Sequence, residues 1–306
     1  IMSVLDRFKD PKKYPPQMRE LGMLIILNRR KDPGLFLKDM HADRCGFFGK
    51  PSQLPDAEHT EEEFGDDGKL ESGLLLRTPR LMVLRGGYKD DPTFVENSKE
   101  KGAIEGLYSD VNHLWDTWKE KYPDKASPYR RRRLVLCYLV DKNGSPLHKK
   151  PLILSIHGGA AKIFCQKYAN FIEQMESAYA QATGDKAAQG FADKMCASMI
   201  WTPTFGSIKY GETRKSDIAV PESWDFPTPE TILDFWPKKE ADIDHIEDVY
   251  ESCPPEVYAS KFFKQCEAEI GINALKPGVD ISAPVLPAAD NLGDRDESGA
   301  LVGGLK

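Results

Sequence analysis

Apolar and polar positions change period several times along the chain, and the clearest change lies between Tyr129 and Tyr179. The basic cluster Tyr129-Arg130-Arg131-Arg132-Arg133 is followed by an unbroken apolar run, Leu134 to Val140. Asp141-Lys142-Asn143-Gly144-Ser145 interrupts it with an Asn-Gly step, and both residues tolerate the positive φ of a hairpin turn. A second run, Pro151 to Ile156, passes through His157-Gly158-Gly159 into a new pattern. There Ala161, Phe164, Cys165, Tyr168, Phe171, Ile172, Met175 and Tyr179 recur at helical spacing. The order predicted is strand, turn, strand, then an amphipathic helix packed on the sheet.

The flanking segments read less sharply. Residues 1–20 are polar and carry Pro11, Pro15 and Pro16, as an extended arm would. Met23 to Asn28 and Leu35 to Leu37 read as a hairpin with the basic tip Arg29-Arg30-Lys31. Residues 56–72 are acidic and poor in apolar side chains, which presents them as an exposed, mobile loop. Gly73 to Arg85 holds a strand pair or one bent strand, closed by Gly86-Gly87. Ile104, Leu107, Tyr108, Val111, Leu114, Trp115 and Trp118 predict a helix. A helix ending near Met195 and strands over 197–201 and 205–210 follow. Thr228 caps a predicted helix from Pro229 to Trp236, and Pro254-Pro255 opens another carrying Val257, Tyr258, Phe262, Cys266 and Ile270. From Lys276 the chain becomes a mildly acidic tail of small residues.

Strands are not each followed by a crossover helix, so a doubly wound parallel sheet is not expected. The pattern predicts an α+β fold, an antiparallel sheet or small OB-like barrel with packed helices. It is divided into an arm (1–20), one α+β domain (21–275) and a flexible tail (276–306).

Composition narrows the function class only a little. The 306 residues are 40% hydrophobic and 29% charged, as in an ordinary globular chain, and the formal net charge of -6 argues against a uniformly basic nucleic-acid binder. Local clusters still matter more than the sum. The six cysteines, Cys45, Cys137, Cys165, Cys196, Cys253 and Cys266, form no CxxC pair and fit a reducing compartment. No apolar run approaches the roughly 20 residues of a membrane span, and Ile1 to Arg7 lacks the apolar core of a secretion signal. A cytoplasmic protein without a membrane partner is expected.

Three chemical motifs each have a plainer reading. Leu152 to Gly159 resembles the oxyanion-hole strand of lipase-type hydrolases, but no G-x-S-x-G nucleophile elbow follows, and a Gly-Gly bend between strand and helix is the better-supported reading. The same glycines could present N–H groups to a phosphate, yet no Walker or dinucleotide fingerprint accompanies them. His41 and Cys45 share a helical face, but two ligands do not make a zinc site. No cofactor, metal or catalytic residue is assigned.

Cations and rings, by contrast, recur together beside strands. Arg29, Arg30 and Lys31 lie near Phe36, and Phe47 and Phe48 near Lys50. Arg77, Arg80 and Arg85 precede Tyr88, and Tyr129 opens the run Arg130, Arg131, Arg132 and Arg133. Lys149 and Lys150 introduce the second strand. Cations follow phosphates and rings stack on bases, so these residues point to a non-catalytic binder of single-stranded DNA or RNA. A structural or assembly role, as in a phage or multi-protein complex, is the alternative, and a hydrolase built on His157-Gly158-Gly159 the third. A protein partner for the tail and self-association both stay open.

The stretch Ser145-Pro146-Leu147-His148-Lys149-Lys150-Pro151-Leu152, with the helix after it, resembles an uncharacterised family seen mostly in cyanobacteria and their mobile elements. The resemblance runs from about Leu24 to Trp236, with P-L-H-x-x-P-L its most specific part. It implies no catalytic residue, and it looks more like a replication or mobile-element accessory than a metabolic enzyme.

Overall fold

The first predicted hairpin forms. In the computed structural model, which describes residues 21–28, 31–64, 69–88, 91–100, 103–184, 190–211 and 215–258, β1 (Gly22–Leu27) pairs antiparallel with β2 (Gly34–Lys38). Arg29, Arg30, the arm at 1–20 and the tail at 276–306 lie outside the described residues. Helix α1 (Asp39–Cys45) follows and stops at Gly46, whose φ of 67° only glycine adopts readily.

The acidic stretch 56–72, which reads as a loop, is instead part of two strands. β3 (Ala57–Phe64) pairs with β4 (Lys69–Leu76), from Ala57 opposite Leu76 to Phe64 opposite Lys69. β3 is the last strand of its sheet, where side chains reach water and charge discourages edge-to-edge pairing. Its carboxylates and those of β4 are also answered locally. Glu71 lies 2.8 Å from Lys69 and 3.8 Å from Lys38, and Glu58 lies 2.9 Å from Arg77.

β5 (Leu81–Arg85) is a separate strand and does not pair with β4. β6 (Phe94–Asn97) and β7 (Ala103–Leu107) form a hairpin where the sequence predicts the start of a helix. Ile104 and Leu107 satisfy helical spacing, but Leu107 sits opposite Phe94 across the hairpin, and short apolar runs fit either period. Helix begins only at α2 (Tyr108–Val111) and α3 (His113–Lys121).

β8 (Tyr129–Leu139), β9 (Leu152–His157) and α4 (Gly158–Thr183) give the predicted strand, turn, strand, helix. Then come α5 (Asp193–Ala197), β10 (Ile200–Trp201), β11 (Pro203–Tyr210) and β12 (Ser216–Trp224). A single 3-10 turn, Ile232–Phe235, stands where a helix from Pro229 is predicted. α6 (Glu240–Ser252), which the sequence reading lacks, and α7 (Pro255–Tyr258) close the described chain. Phe262, Cys266 and Ile270 lie outside it.

The large sheet runs β10-β5-β8-β9-β1-β2-β4-β3, with β6 on the first part of β8 and β7 beyond it. Its named pairings are antiparallel except β1 with β9, so the sheet is mixed. The α+β class holds, but the small barrel does not: β10 and β3 remain separate ends and the sheet stays open. Closure would need those ends to pair.

Both faces of the sheet are covered instead. Alternate residues of β8 point to opposite sides. Val135, Cys137 and Leu139 meet Phe164, Tyr168, Phe171 and Met175 of α4. Leu134, Leu136 and Tyr138 meet Ile246 of α6 and Tyr258 of α7. Each large apolar side chain buried this way contributes about 1.5–3 kcal/mol. The β11–β12 hairpin is a second, two-stranded sheet, held to α4 where Trp224 Nε1 donates to Gln174 at 2.8 Å.

His148, from the P-L-H-x-x-P-L stretch, is a clasp at the far end of β8. The Leu139 N–H donates to its Nε2 at 2.8 Å, and its Nδ1 is 2.6 Å from the Lys150 carbonyl. Its ring lies between Tyr138, at 4.8 Å, and Phe47, at 6.5 Å. Burial pushes its pKa down to about 4, so the imidazole is neutral, with Nδ1 as donor and Nε2 as acceptor.

Candidate functional site

The alternation of β8 sorts the arginine run. Arg130 is exposed. Arg131 turns to the side that carries α3, donating to the Tyr108 hydroxyl at 2.6 Å with its guanidinium 4.2 Å from that ring. Arg132 and Arg133 are buried. Arg132 Nε donates to Ser155 Oγ at 2.8 Å, and its Nη1 lies 3.2 Å from Glu96 Oε2. Arg133 Nη1 donates to the Tyr88 carbonyl at 3.0 Å and also to the Asp91 carbonyl. Register explains the first of these contacts, since Arg132 faces Phe94 on β6 and His157 on β9.

At the entrance to β8 the rings gather. Trp115, Trp118 and Tyr122 follow helical spacing on and just past α3, and Tyr129 and Tyr108 meet them. Ring centroids are 5.7 Å apart for Tyr108–Trp115, 6.1 Å for Trp115–Tyr129, 6.3 Å for Trp118–Tyr129 and 4.7 Å for Trp118–Tyr122. Cations lie over the members: Lys99 is 4.4 Å from Trp118, and Lys125 and Lys121 are 4.9 and 5.4 Å from Tyr122. Trp115 is buried and the other four rings are half-buried. Asp116 and Glu120 are exposed on α3, so the corner is mixed in charge rather than purely basic. Of these residues the sequence pattern marks Tyr129, Arg130 and Arg131 as binding candidates, and the W-x-x-W-x-x-x-Y spacing with lysines on either side is the signal for the rest.

The other predicted residues divide. Phe47 bridges to His148 and packs inward, while Phe48 is 60% exposed beside it. Lys149 and Lys150 are exposed there too, their backbone N–H groups held by the Cys45 carbonyl at 3.1 and 3.0 Å. This second group sits at the end of β8 opposite Tyr129, and an 11-residue strand spans about 35 Å. Lys31 is exposed in the β1–β2 turn. Arg77 is held by Glu58 at 2.9 Å and Asp32 at 3.6 Å, and the Glu58 hydrogen bond raises its pKa. Arg80 is half-buried at the head of β5, its carbonyl accepting the Val140 N–H at 3.0 Å. Arg85 lies 3.7 Å from the Tyr250 ring and donates to the Tyr250 carbonyl at 2.8 Å. Tyr88 meets Tyr168 edge-on at 5.5 Å, and burial pushes its hydroxyl pKa up. Arg85, Arg133 and Tyr88 are thus engaged inside the fold.

On the other face of β8 a polar cluster closes the end of the sheet. His157 Nδ1 lies 3.2 Å from Glu96 Oε2, and its Nε2 lies 3.4 Å from Ser155 Oγ. Burial alone would raise the Glu96 pKa, but His157, Arg132 and Arg130 together hold it below the usual carboxylate value. Burial lowers that of Arg132, against the pull of Glu96. The Gly158-Gly159 step then starts α4. Gly158 takes φ 52°, and a Cβ on Gly159 would come within 2.2 Å of the Tyr210 ring. The double glycine therefore admits Tyr210 over the head of the helix.

Among the described residues no helix is long and apolar enough to cross a membrane. No curated protein and no solved structure matches the chain. Residues 19–252, which include the aromatic corner, the His148 clasp and the Glu96 cluster, match the family described as a domain of unknown function, DUF5895, and the chain belongs to that family.

Proposed function

We propose that the chain binds single-stranded DNA or RNA at the corner formed by α3, the β6–β7 hairpin and the start of β8. The observation that carries this reading is the ring series Tyr108, Trp115, Tyr129, Trp118 and Tyr122, with Arg131, Lys99, Lys121 and Lys125 over its members. A cation over a ring at a solvent-accessible site contributes about 0.5–1 kcal/mol, and four of these rings are half-buried. A base stacked on the same ring contributes about 1–3 kcal/mol. An incoming base therefore displaces the lysine from the ring, and the lysine remains within reach of the adjoining phosphate. Arg130 adds an exposed cation, and Phe48 with Lys149 and Lys150 offers a second contact along β8. Stacking reads no base edge, so sequence preference is weak. A role as a cytoplasmic accessory of replication or of a cyanobacterial mobile element accommodates such binding.

Filter retention of a labelled oligothymidylate at about 50 mM salt, where phosphate contacts are strong, tests the reading. Retention is expected, and its absence overturns it. An assembly role is favoured by Phe226 and Leu233, 65% and 75% exposed. Self-association in light scattering without oligonucleotide binding would point there instead.

A further inference from the structure

We propose that Ser155 is an activated nucleophile, with His157 as its general base and Glu96 orienting the imidazole, and that this site takes a carboxylic ester. The site lies on the face of β8 away from the aromatic corner, and the inference is independent of nucleic-acid binding. It also supplies the nucleophile that the missing G-x-S-x-G elbow leaves unnamed.

The geometry has three links. His157 Nδ1 lies 3.2 Å from the buried Glu96 Oε2, which has no hydrogen-bond partner of good alignment among the described residues, and the carboxylate's charge favours the ring proton on Nδ1 and a lone pair on Nε2. That nitrogen lies 3.4 Å from Ser155 Oγ. Nucleophile and base often stand slightly apart until substrate arrives. Arg132 completes the set, its Nε donating to Ser155 Oγ at 2.8 Å and its Nη1 lying 3.2 Å from Glu96. The same guanidinium thus steadies the carboxylate and meets negative charge as it develops on the serine oxygen.

The scaffold under these groups is rigid. Glu96 comes from β6, Arg132 from β8, and Ser155 and His157 from β9, with Arg132 opposite His157 and Leu134 opposite Ser155. Sites built on paired strands hold their geometry better than sites on loops. The cluster is reachable from solvent, since the His157 side chain is 45% exposed and Ser155 is half-buried.

The step balances with water as the only co-reactant. Ser155 Oγ bonds to the ester carbonyl carbon while its proton passes to His157 Nε2. The bond to the leaving alkoxide breaks and that group takes the proton from His157. Water, deprotonated in turn by His157, then cleaves the acyl-serine, releasing the carboxylic acid and restoring Ser155.

The test is treatment of the full chain with a fluorophosphonate probe, followed by peptide mass spectrometry and hydrolysis of p-nitrophenyl acetate. The expected result is one adduct, on Ser155, with ester turnover lost in Ser155→Ala. His157→Gln should slow labelling about a hundredfold or more, the usual scale of general-base assistance, and Glu96→Gln should slow it less. Oligothymidylate binding by Ser155→Ala should be unchanged, so failure here and failure of the binding reading are separable. No adduct on the folded wild-type chain, or an adduct only elsewhere, overturns the assignment. Wild-type mapping decides this even if a variant fails to fold.

Discussion

Arg132 on β8 reaches diagonally to Glu96 on β6, which lies opposite Arg130, with Nη1 and Oε2 3.2 Å apart and side chains only 8% and 10% exposed. A buried pair of this kind is costly to break because the remaining charge stays out of water. Arg132→Ala should therefore destabilise the fold by about 3–5 kcal/mol. Urea unfolding followed by circular dichroism checks this. Arg132→Met combined with Glu96→Leu should lose much less, since no charge is left behind.

Acid should unfold the protein in two overlapping steps. His148 binds a proton less readily folded than unfolded, its pKa falling from 6.5 to about 4. Its contribution is fully present above about pH 6.5 and is lost as pH falls towards 4, worth about 3 kcal/mol. The physical event is loss of the Leu139 N–H bond to Nε2. Glu96, also depressed, adds a loss in the same direction below the ordinary carboxylate range. Urea midpoints measured across this pH range should show the slope above pH 4 in the wild type and not in His148→Gln.

Trp118 and Tyr129 are the rings through which a bound strand should be felt. Trp118→Ala should weaken oligonucleotide binding by about 1–3 kcal/mol, or roughly 5- to 150-fold. Fluorescence anisotropy with a labelled oligothymidylate reads this directly, with circular dichroism as the folding control. Arg85→Ala should leave affinity unchanged, because Arg85 is engaged with Tyr250.

The seam between α4 and the sheet carries much of the stability. Phe171 has no exposed surface and meets Tyr168, Trp201 and Phe235. Phe171→Ala should cost about 3–5 kcal/mol in urea unfolding. Exchange of the exposed Phe226 for Ser should cost almost nothing.

Period alone reveals α4 and the two strands before it, since Ala161, Phe164, Cys165, Tyr168, Phe171, Ile172, Met175 and Tyr179 recur on one helical face, and all but Tyr179 are buried. It failed where composition and pairing disagree. β3 reads as a loop because Glu58, Glu61, Glu62 and Glu63 dominate it, yet an edge strand tolerates charge when Lys38, Lys69 and Arg77 stand near. Ile104 and Leu107 fit a helix until Phe94 and Val95 appear opposite their strand. The arginine run was visible as charge, but its division into exposed Arg130, ring-bound Arg131 and buried Arg132 and Arg133 depends on strand alternation and on Glu96, distant in sequence. Likewise Lys99 reaches Trp118 only through the β6–β7 hairpin, which no local pattern announces.

Salt dependence of oligonucleotide affinity tests the central claim most directly. If the corner neutralises about four phosphates, affinity for oligothymidylate should fall roughly fiftyfold between about 50 and about 200 mM salt. Replacing Lys99, Lys121 and Lys125 together by Ala should flatten that dependence to near that of one or two contacts. Absence of binding at low salt, or a slope unchanged in the triple variant, would contradict it.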